Sequence, residues 1–233
     1  HYTAAKKRRH DDAYTPGGVG GKRPDRAVIV YSMLARRAFP DTPIYIGGLE
    51  ASLRRFAHYD YWSDQVMPSV LSSSGADALM YGMSERSVVE LAKNLKAGKH
   101  GIDAVRDIRG MAYFAPDASD VPFPAVACPS YEQVCQSKED YARSVKIQYD
   151  QADHVRGKAI TQVHGKRVLI QNPPSKPLTT EEMDKVYALP FARTYHPSYD
   201  AVGGVPAIQE VQFSIIHNRG CFGACNFLSL IHI

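Results

Sequence analysis

Pro43-Ile44-Tyr45-Ile46-Gly47-Gly48 and, further on, Ala76-Asp77-Ala78-Leu79-Met80-Tyr81-Gly82 decide how this 233-residue chain is built. Each is a short apolar run closed by glycine, as in a strand covered on both faces and followed by a tight turn. Ahead of the first, Ala27, Val28, Val30, Tyr31, Leu34, Ala35 and Phe39 recur at helical spacing until Pro40-Asp41 stops them. After the second, Ser84 is placed to cap a helix with Val88, Leu91, Ala92 and Leu95 on one face before Gly98. This order predicts an α/β fold with an open, incomplete parallel sheet in which Ile44–Ile46 and Leu79–Tyr81 are adjacent central strands.

Ligands of such sheets sit beyond the carboxyl ends of the strands. That is where Gly47-Gly48-Leu49-Glu50-Ala51-Ser52-Leu53-Arg54-Arg55-Phe56 falls. Glu50, Arg54 and Arg55 either hold a polar ligand there or form a salt-linked helix start. The next stretch, His58-Tyr59-Asp60-Tyr61-Trp62-Ser63-Asp64, suits a cleft wall, a domain interface or a site.

The proline-rich run from Phe114 to Pro129 predicts a domain boundary. The chain thus divides into 1–115, a connecting α+β region 116–206, and 207–233. A long polar helix is predicted from Tyr131 to about His154, its buried stripe being Val134, Tyr141, Val145 and Tyr149 with Cys135 beside it as a buried thiol. Gly165 turns a hairpin between Ala159–Val163 and Arg167–Ile170, and Asn172-Pro173-Pro174 ends it. Thr179 and Glu182 make a capping box for a helix through Leu189. Residues 190–206 read as irregular and Val211–Ile216 as a strand.

Composition narrows the function classes. Twenty-eight basic against twenty-four acidic residues leave a net charge of +4, which names no ligand. The run Lys6-Lys7-Arg8-Arg9-His10 has no interleaved aromatic, so a solvated segment is preferred over a nucleic-acid arm. The glycines from Gly17 to Gly21 do not lie between a strand and a helix, as a dinucleotide fingerprint requires. No apolar run approaches the ~20 residues that cross a bilayer, and four cysteines do not make a secreted disulfide framework. A soluble, cytoplasmic protein is expected.

The chemistry concentrates where Val211–Ile216 leads into His217-Asn218-Arg219-Gly220-Cys221-Phe222-Gly223-Ala224-Cys225-Asn226-Phe227. Two cysteines four apart on a glycine-containing loop can turn their sulfurs to one metal, and thiolates are ligands for iron–sulfur clusters and zinc. A pair of free thiols, or a zinc site completed by His217 or His232, stands as the other reading.

This loop resembles the C-x3-C-x2-C signature of radical SAM enzymes, with Cys221 and Cys225 at the first two positions, Phe227 at the aromatic and Leu228 at the third. Residues 1–227 are similar to proteins of the YgiQ type. The likeness is carried by residues 1–9 (HYTAAKKRR), 21–26 (GKRPDR), 48–64 (GLEASLRRFAHYDYWSD) and 194–199 (TYHPSY). The resemblance implies a [4Fe-4S] cluster whose open iron takes the amino and carboxylate groups of S-adenosylmethionine, reductive cleavage of which yields a 5′-deoxyadenosyl radical. It also implies a cobalamin-binding-like α/β region, a linker, and the first strand of a truncated partial barrel. Neither substrate nor electron donor is implied. Both ends look cut, and Leu228-Ser229-Leu230-Ile231-His232-Ile233 matches no continuation of the family. A non-catalytic nucleotide- or cobalamin-binding module is the alternative, although no histidine-containing cobalamin loop is visible; a nucleic-acid-binding protein is weaker still.

Overall fold

The computed structural model describes residues 2, 5–215 and 219. They fall into two compact units, one of residues 28–178 and one of the residues up to 27 with 179–219. In chain order, the former unit carries α1 (Ala27–Ala38, from its second residue), β1 (Tyr45–Ile46), α2 (Gly48–Leu53), β2 (His58–Asp60), β3 (Gln65–Met67), α3 (Val70–Ser74), β4 (Ala78–Met80), α4 (Glu85–Lys96), α5 (Gly101–Val105), β5 (Met111–Ala115), β6 (Ala125–Ala127), α6 (Tyr131–Gln136), α7 (Lys138–Asp150), β7 (Ala159–His164) and β8 (Arg167–Gln171).

Among the described residues, six strands make one sheet in the order β1-β4-β5-β8-β7-β6, and β2 pairs with β3 in a separate hairpin. The two apolar runs are adjacent and parallel as expected, Tyr45 opposite Ala78 and Ile46 opposite Leu79. Two expectations are corrected. First, β1 is an edge strand rather than a central one. Second, the sheet is mixed, not an incomplete parallel one: β5 runs antiparallel to β4, β8 to β5, and β7 to β8, with parallel pairing returning only between β6 and β7.

The connections explain both outcomes. A single crossover helix would have brought the chain back to the edge where β4 began. Here α4 and α5 together return it to the edge where β4 ended, so Tyr81 N–H donates to the Gly110 carbonyl at 2.9 Å and β5 must descend. The turn at Gly165, φ +60°, is too short for a crossover and makes β7 and β8 a hairpin, as read from the sequence.

Alternation along the strands sorts the core into two layers. Ile46, Leu79, Ala112, Ile160 and Leu169 pack with Phe56, Val70 and Leu71, against which Val28 and Ile29 of α1 and Ile147 of α7 are laid. On the opposite face Ala78, Met111, Tyr113 and Ile170 meet Leu91 of α4 and Ala104 and Val105 of α5. Because β5 pairs directly with β8, the division anticipated after residue 115 falls inside this unit.

The long helix anticipated from Tyr131 is two helices. Ser137 is extended at φ −130°, ψ 122°, and its side chain accepts from Asp140 N–H to start α7 afresh. The elbow turns the stripe outward after Val134: Val145 and Tyr149 are exposed. Cys135 is exposed as well, while Cys128 is the buried thiol, pushed up to about 11 by burial.

In the other unit, Thr179 and Glu182 form the anticipated capping box of α8 (Thr180–Tyr187). Asp12 is buried and pairs with Arg23 at 2.6 Å, and that bond holds its carboxyl below the usual range. Ala207 N–H donates to the Ala13 carbonyl, and Gly17 N–H to the Gly204 carbonyl. The strand expected at Val211–Ile216 is corrected: Ile208–Val211 form a short helix, α9, and residues 212–215 carry no strand. A strand needs a neighbour for its backbone groups, and none pairs here among the described residues, where Phe213 and Ile215 are exposed. Ile216 lies outside them. No helix among the described residues is long and apolar enough to cross a membrane.

Candidate functional site

The turn from β1 into α2 lies at the carboxyl end of β1, where the sequence placed it. Gly48 has φ +80° with nothing within 4 Å of where a Cβ would stand, so glycine is required by conformation rather than by crowding. Six residues of helix then present Glu50, and the chain leaves α2 through Arg54 and Arg55.

These three residues divide between two roles. Glu50 Oε1 accepts from Arg54 Nη1 at 3.0 Å, and Oε2 accepts from Val28 N–H at 3.3 Å. Arg54 Nη2 also stands 3.9 Å from Asp60 Oδ1. Asp60 in turn accepts from Ser63 N–H and Ser63 Oγ, which fixes the hairpin turn. Glu50 and Arg54 therefore meet the salt-linked reading, tying α1, α2 and the hairpin together.

Arg55 does something else. It is 6% exposed, and its Nε donates to Gln171 Oε1 and its Nη1 to the Ser52 carbonyl, each at 2.5 Å. The guanidinium lies over the Tyr81 ring at 4.9 Å and the Phe56 ring at 5.5 Å. No carboxylate pairs with it among the described residues. Burial pushes its pKa down and raises that of Tyr81. A buried cation held by neutral acceptors carries a desolvation penalty of several kcal/mol, which facing rings only partly offset.

Neighbouring bonds stitch this edge together. Ser52 Oγ donates to the Gly48 carbonyl at 2.8 Å and accepts from Gly82 N–H at 3.2 Å. Tyr81 hydroxyl donates to the Asn172 carbonyl at 2.6 Å. The fully buried Asn172 amide nitrogen donates to the carbonyls of Ile108 and Arg106 at 2.7 and 2.9 Å, closing the end of α5. Sequence reasoning missed Gln171, Asn172 and Tyr81. The only local signal was a polar residue at the inward position of an apolar strand.

The same sheet face carries a second polar line. Gln162 is fully buried, accepting from Ala57 N–H and donating to the Pro129 carbonyl. His164 Nε2 donates to Gln162 Oε1 at 3.0 Å, leaving Nδ1 buried with no partner among the described residues. The ring stacks on Tyr131 and meets Phe114 edge-on. Burial brings the imidazole down to about 4, with Glu132 pulling up and Arg167 pulling down. Between pH 6.5 and about 4 the unfolded chain takes up a proton that the folded chain refuses, so stability falls as pH falls through that window and is intact above it. The loss is expected to reach at most about 3 kcal/mol, and His164→Phe should remove most of it. Urea midpoints at neutral pH and near pH 4 check this; an unchanged pH slope in the variant would contradict it.

Cys221 and Cys225, together with His217, Leu228 and His232, lie outside the described residues. Among the described residues no group of three His, Cys, Asp or Glu side chains is placed to hold a metal.

Comparison with known proteins adds the remaining findings. A family model described as "Radical SAM N-terminal" matches residues 1–214. A "UPF0313 protein" of Clostridium botulinum (type A) is 54% identical over 230 residues, covering 99% of this chain and 35% of the relative. A "UPF0313 protein" of Clostridium perfringens (type A) is 50% identical with the same coverage. The chain thus spans about a third of the length of these relatives. No solved structure matches it.

Proposed function

The chain belongs to the radical SAM N-terminal family, and from that premise we propose that it is the leading part of an enzyme using a [4Fe-4S] cluster and S-adenosylmethionine, with Cys221 and Cys225 as two of the cluster ligands. The observation that carries this reading is continuity: the family match runs to residue 214, and the two cysteines follow within the next eleven residues. The donor chemistry fits, since thiolates are the ligands that iron–sulfur clusters select. Three such ligands are needed, and Leu228 stands at the third position, so this chain by itself offers an incomplete donor set. When bound, the cluster and S-adenosylmethionine supply a carbon-centred radical for hydrogen abstraction.

The part assigned to the described residues is binding. Arg55 is suited to an anionic group of the cofactor or substrate, because its charge is buried without a carboxylate to answer it. Glu50 and Arg54 hold the turn that presents it.

Anaerobic reconstitution tests the cluster assignment. The chain should retain a small, labile amount of iron and sulfide with thiolate-to-iron absorbance at about 400 nm. Leu228→Cys should raise retention severalfold, and Cys221→Ala with Cys225→Ala should abolish it. Equal and negligible iron in the chain and in Leu228→Cys, or iron that survives loss of both cysteines, would sink the assignment.

A further inference from the structure

We propose that the cavity between the β2–β3 hairpin and the α6–α7 elbow binds a small anionic molecule carrying a flat ring, of the nucleoside monophosphate class. The cavity measures about 790 Å³, and its walls include Tyr59, Val66, Val134, Cys135, Lys138 and Tyr141. That volume suits a mononucleotide-sized ligand. It is separate from the Arg55 edge and does not depend on the cluster.

The walls follow from local structure. Ser137 breaks the helix, so the last turn of α6 supplies Val134 and Cys135 while the first turns of α7 supply Lys138 and Tyr141. The hairpin is tied to α7 because Tyr59 N–H donates to the Tyr141 hydroxyl oxygen at 3.2 Å. The floor is thus held by both elements, with the Tyr59 and Tyr141 rings and Val66 offering apolar surface above the buried Val134. A flat ring gains from offset stacking on such side chains, by about 1–3 kcal/mol for a base on an aromatic.

The charges select the rest of the ligand. Asp64 lines the cavity, yet its Oδ1 accepts from the Tyr59 hydroxyl at 2.5 Å, and it is held at the unusual φ of +54°. That bond fixes the carboxylate against the Tyr59 side of the wall without cancelling its charge, so a phosphate must be held by Lys138 rather than near Asp64. Asp140 likewise has Arg143 at 3.8 Å. Lys138, by contrast, has no carboxylate within ion-pair distance among the described residues. The open cation beside aromatic walls matches a phosphate attached to a ring better than it matches either group alone.

Cys135 provides the readout, since its thiol is exposed on the cavity wall while Cys128 is buried. The whole chain is treated with iodoacetamide, with and without AMP, and each cysteine is followed by peptide mass spectrometry. With AMP at several times its dissociation constant, Cys135 alkylation should slow about fivefold, while the buried Cys128 should stay unreactive with and without AMP. Lys138→Gln, an exposed change that leaves the fold intact, should raise the AMP concentration needed by about tenfold. Tyr141→Phe should keep protection and Tyr141→Ala should lose it, urea midpoints confirming that both remain folded. Absence of slowing at millimolar AMP overturns the proposal. Equal protection by inorganic phosphate overturns it too, as does equal protection by adenosine in the parent and in Lys138→Gln.

Discussion

Arg55→Ala should destabilise the unit of residues 28–178 by about 4 kcal/mol, whereas Arg55→Met should cost only about 1 kcal/mol. The alanine removes a side chain that is 6% exposed and packed over Tyr81 and Phe56, which leaves a cavity of the kind that costs about 2–5 kcal/mol in buried sites. It also strands Gln171 Oε1 and the Ser52 carbonyl, at about 1–3 kcal/mol for each that water cannot reach. Methionine fills most of the volume and removes a charge whose burial no carboxylate offsets. Replacing buried charge by apolar volume is often neutral. Urea unfolding of the two variants separates these contributions. Should methionine prove as damaging as alanine, the guanidinium would be holding the fold through its hydrogen bonds, and the case for keeping it free for an anionic ligand would collapse.

Asn172→Leu should cost a similar amount, about 4 kcal/mol, although it keeps the volume. The amide nitrogen faces three backbone carbonyls, those of Val105, Arg106 and Ile108, at 3.5, 2.9 and 2.7 Å. The Val105 carbonyl also accepts from Ile108 N–H at 3.1 Å, but those of Arg106 and Ile108, just past the end of α5, need a donor, which Asn172 supplies. Leucine would leave up to two acceptors orphaned, each costing about 1–3 kcal/mol. Asn172→Asp should be as harmful, because a carboxylate accepts where donation is needed. Amide exchange should show the loss concentrated at α5 and the adjoining ends of β5 and β8; a variant with an unchanged urea midpoint would refute the capping role.

What the sequence could determine by itself is local. The apolar runs at Tyr45–Ile46 and Ala78–Met80, the helix at Ala27–Ala38, the hairpin at Gly165 and the capping box at Thr179 and Glu182 each rest on a pattern that spans a few residues. Side-chain period, positive φ and cap hydrogen bonds are decided over such distances. The likeness to radical SAM proteins was also legible, because recurring stretches and cysteine spacing are properties of order along the chain.

Strand direction was not legible. Whether β5 runs with or against β4 depends on where α4 and α5 deliver the chain, and nothing in residues 111–115 records it. The run from Val211 shows the same limit: period two describes a strand, but no neighbour pairs with it among the described residues, so Val211 ends a short helix from Ile208 and residues 212–215 carry no strand. The candidate site divided along the same line. Glu50, Arg54 and Arg55 were found together because they are neighbours in sequence, yet only packing separated the pair that braces α1 and the hairpin from the guanidinium turned inward onto Gln171, which lies 116 residues away. Burial and the identity of a distant partner are sums over the whole fold, so the tertiary structure alone could assign them.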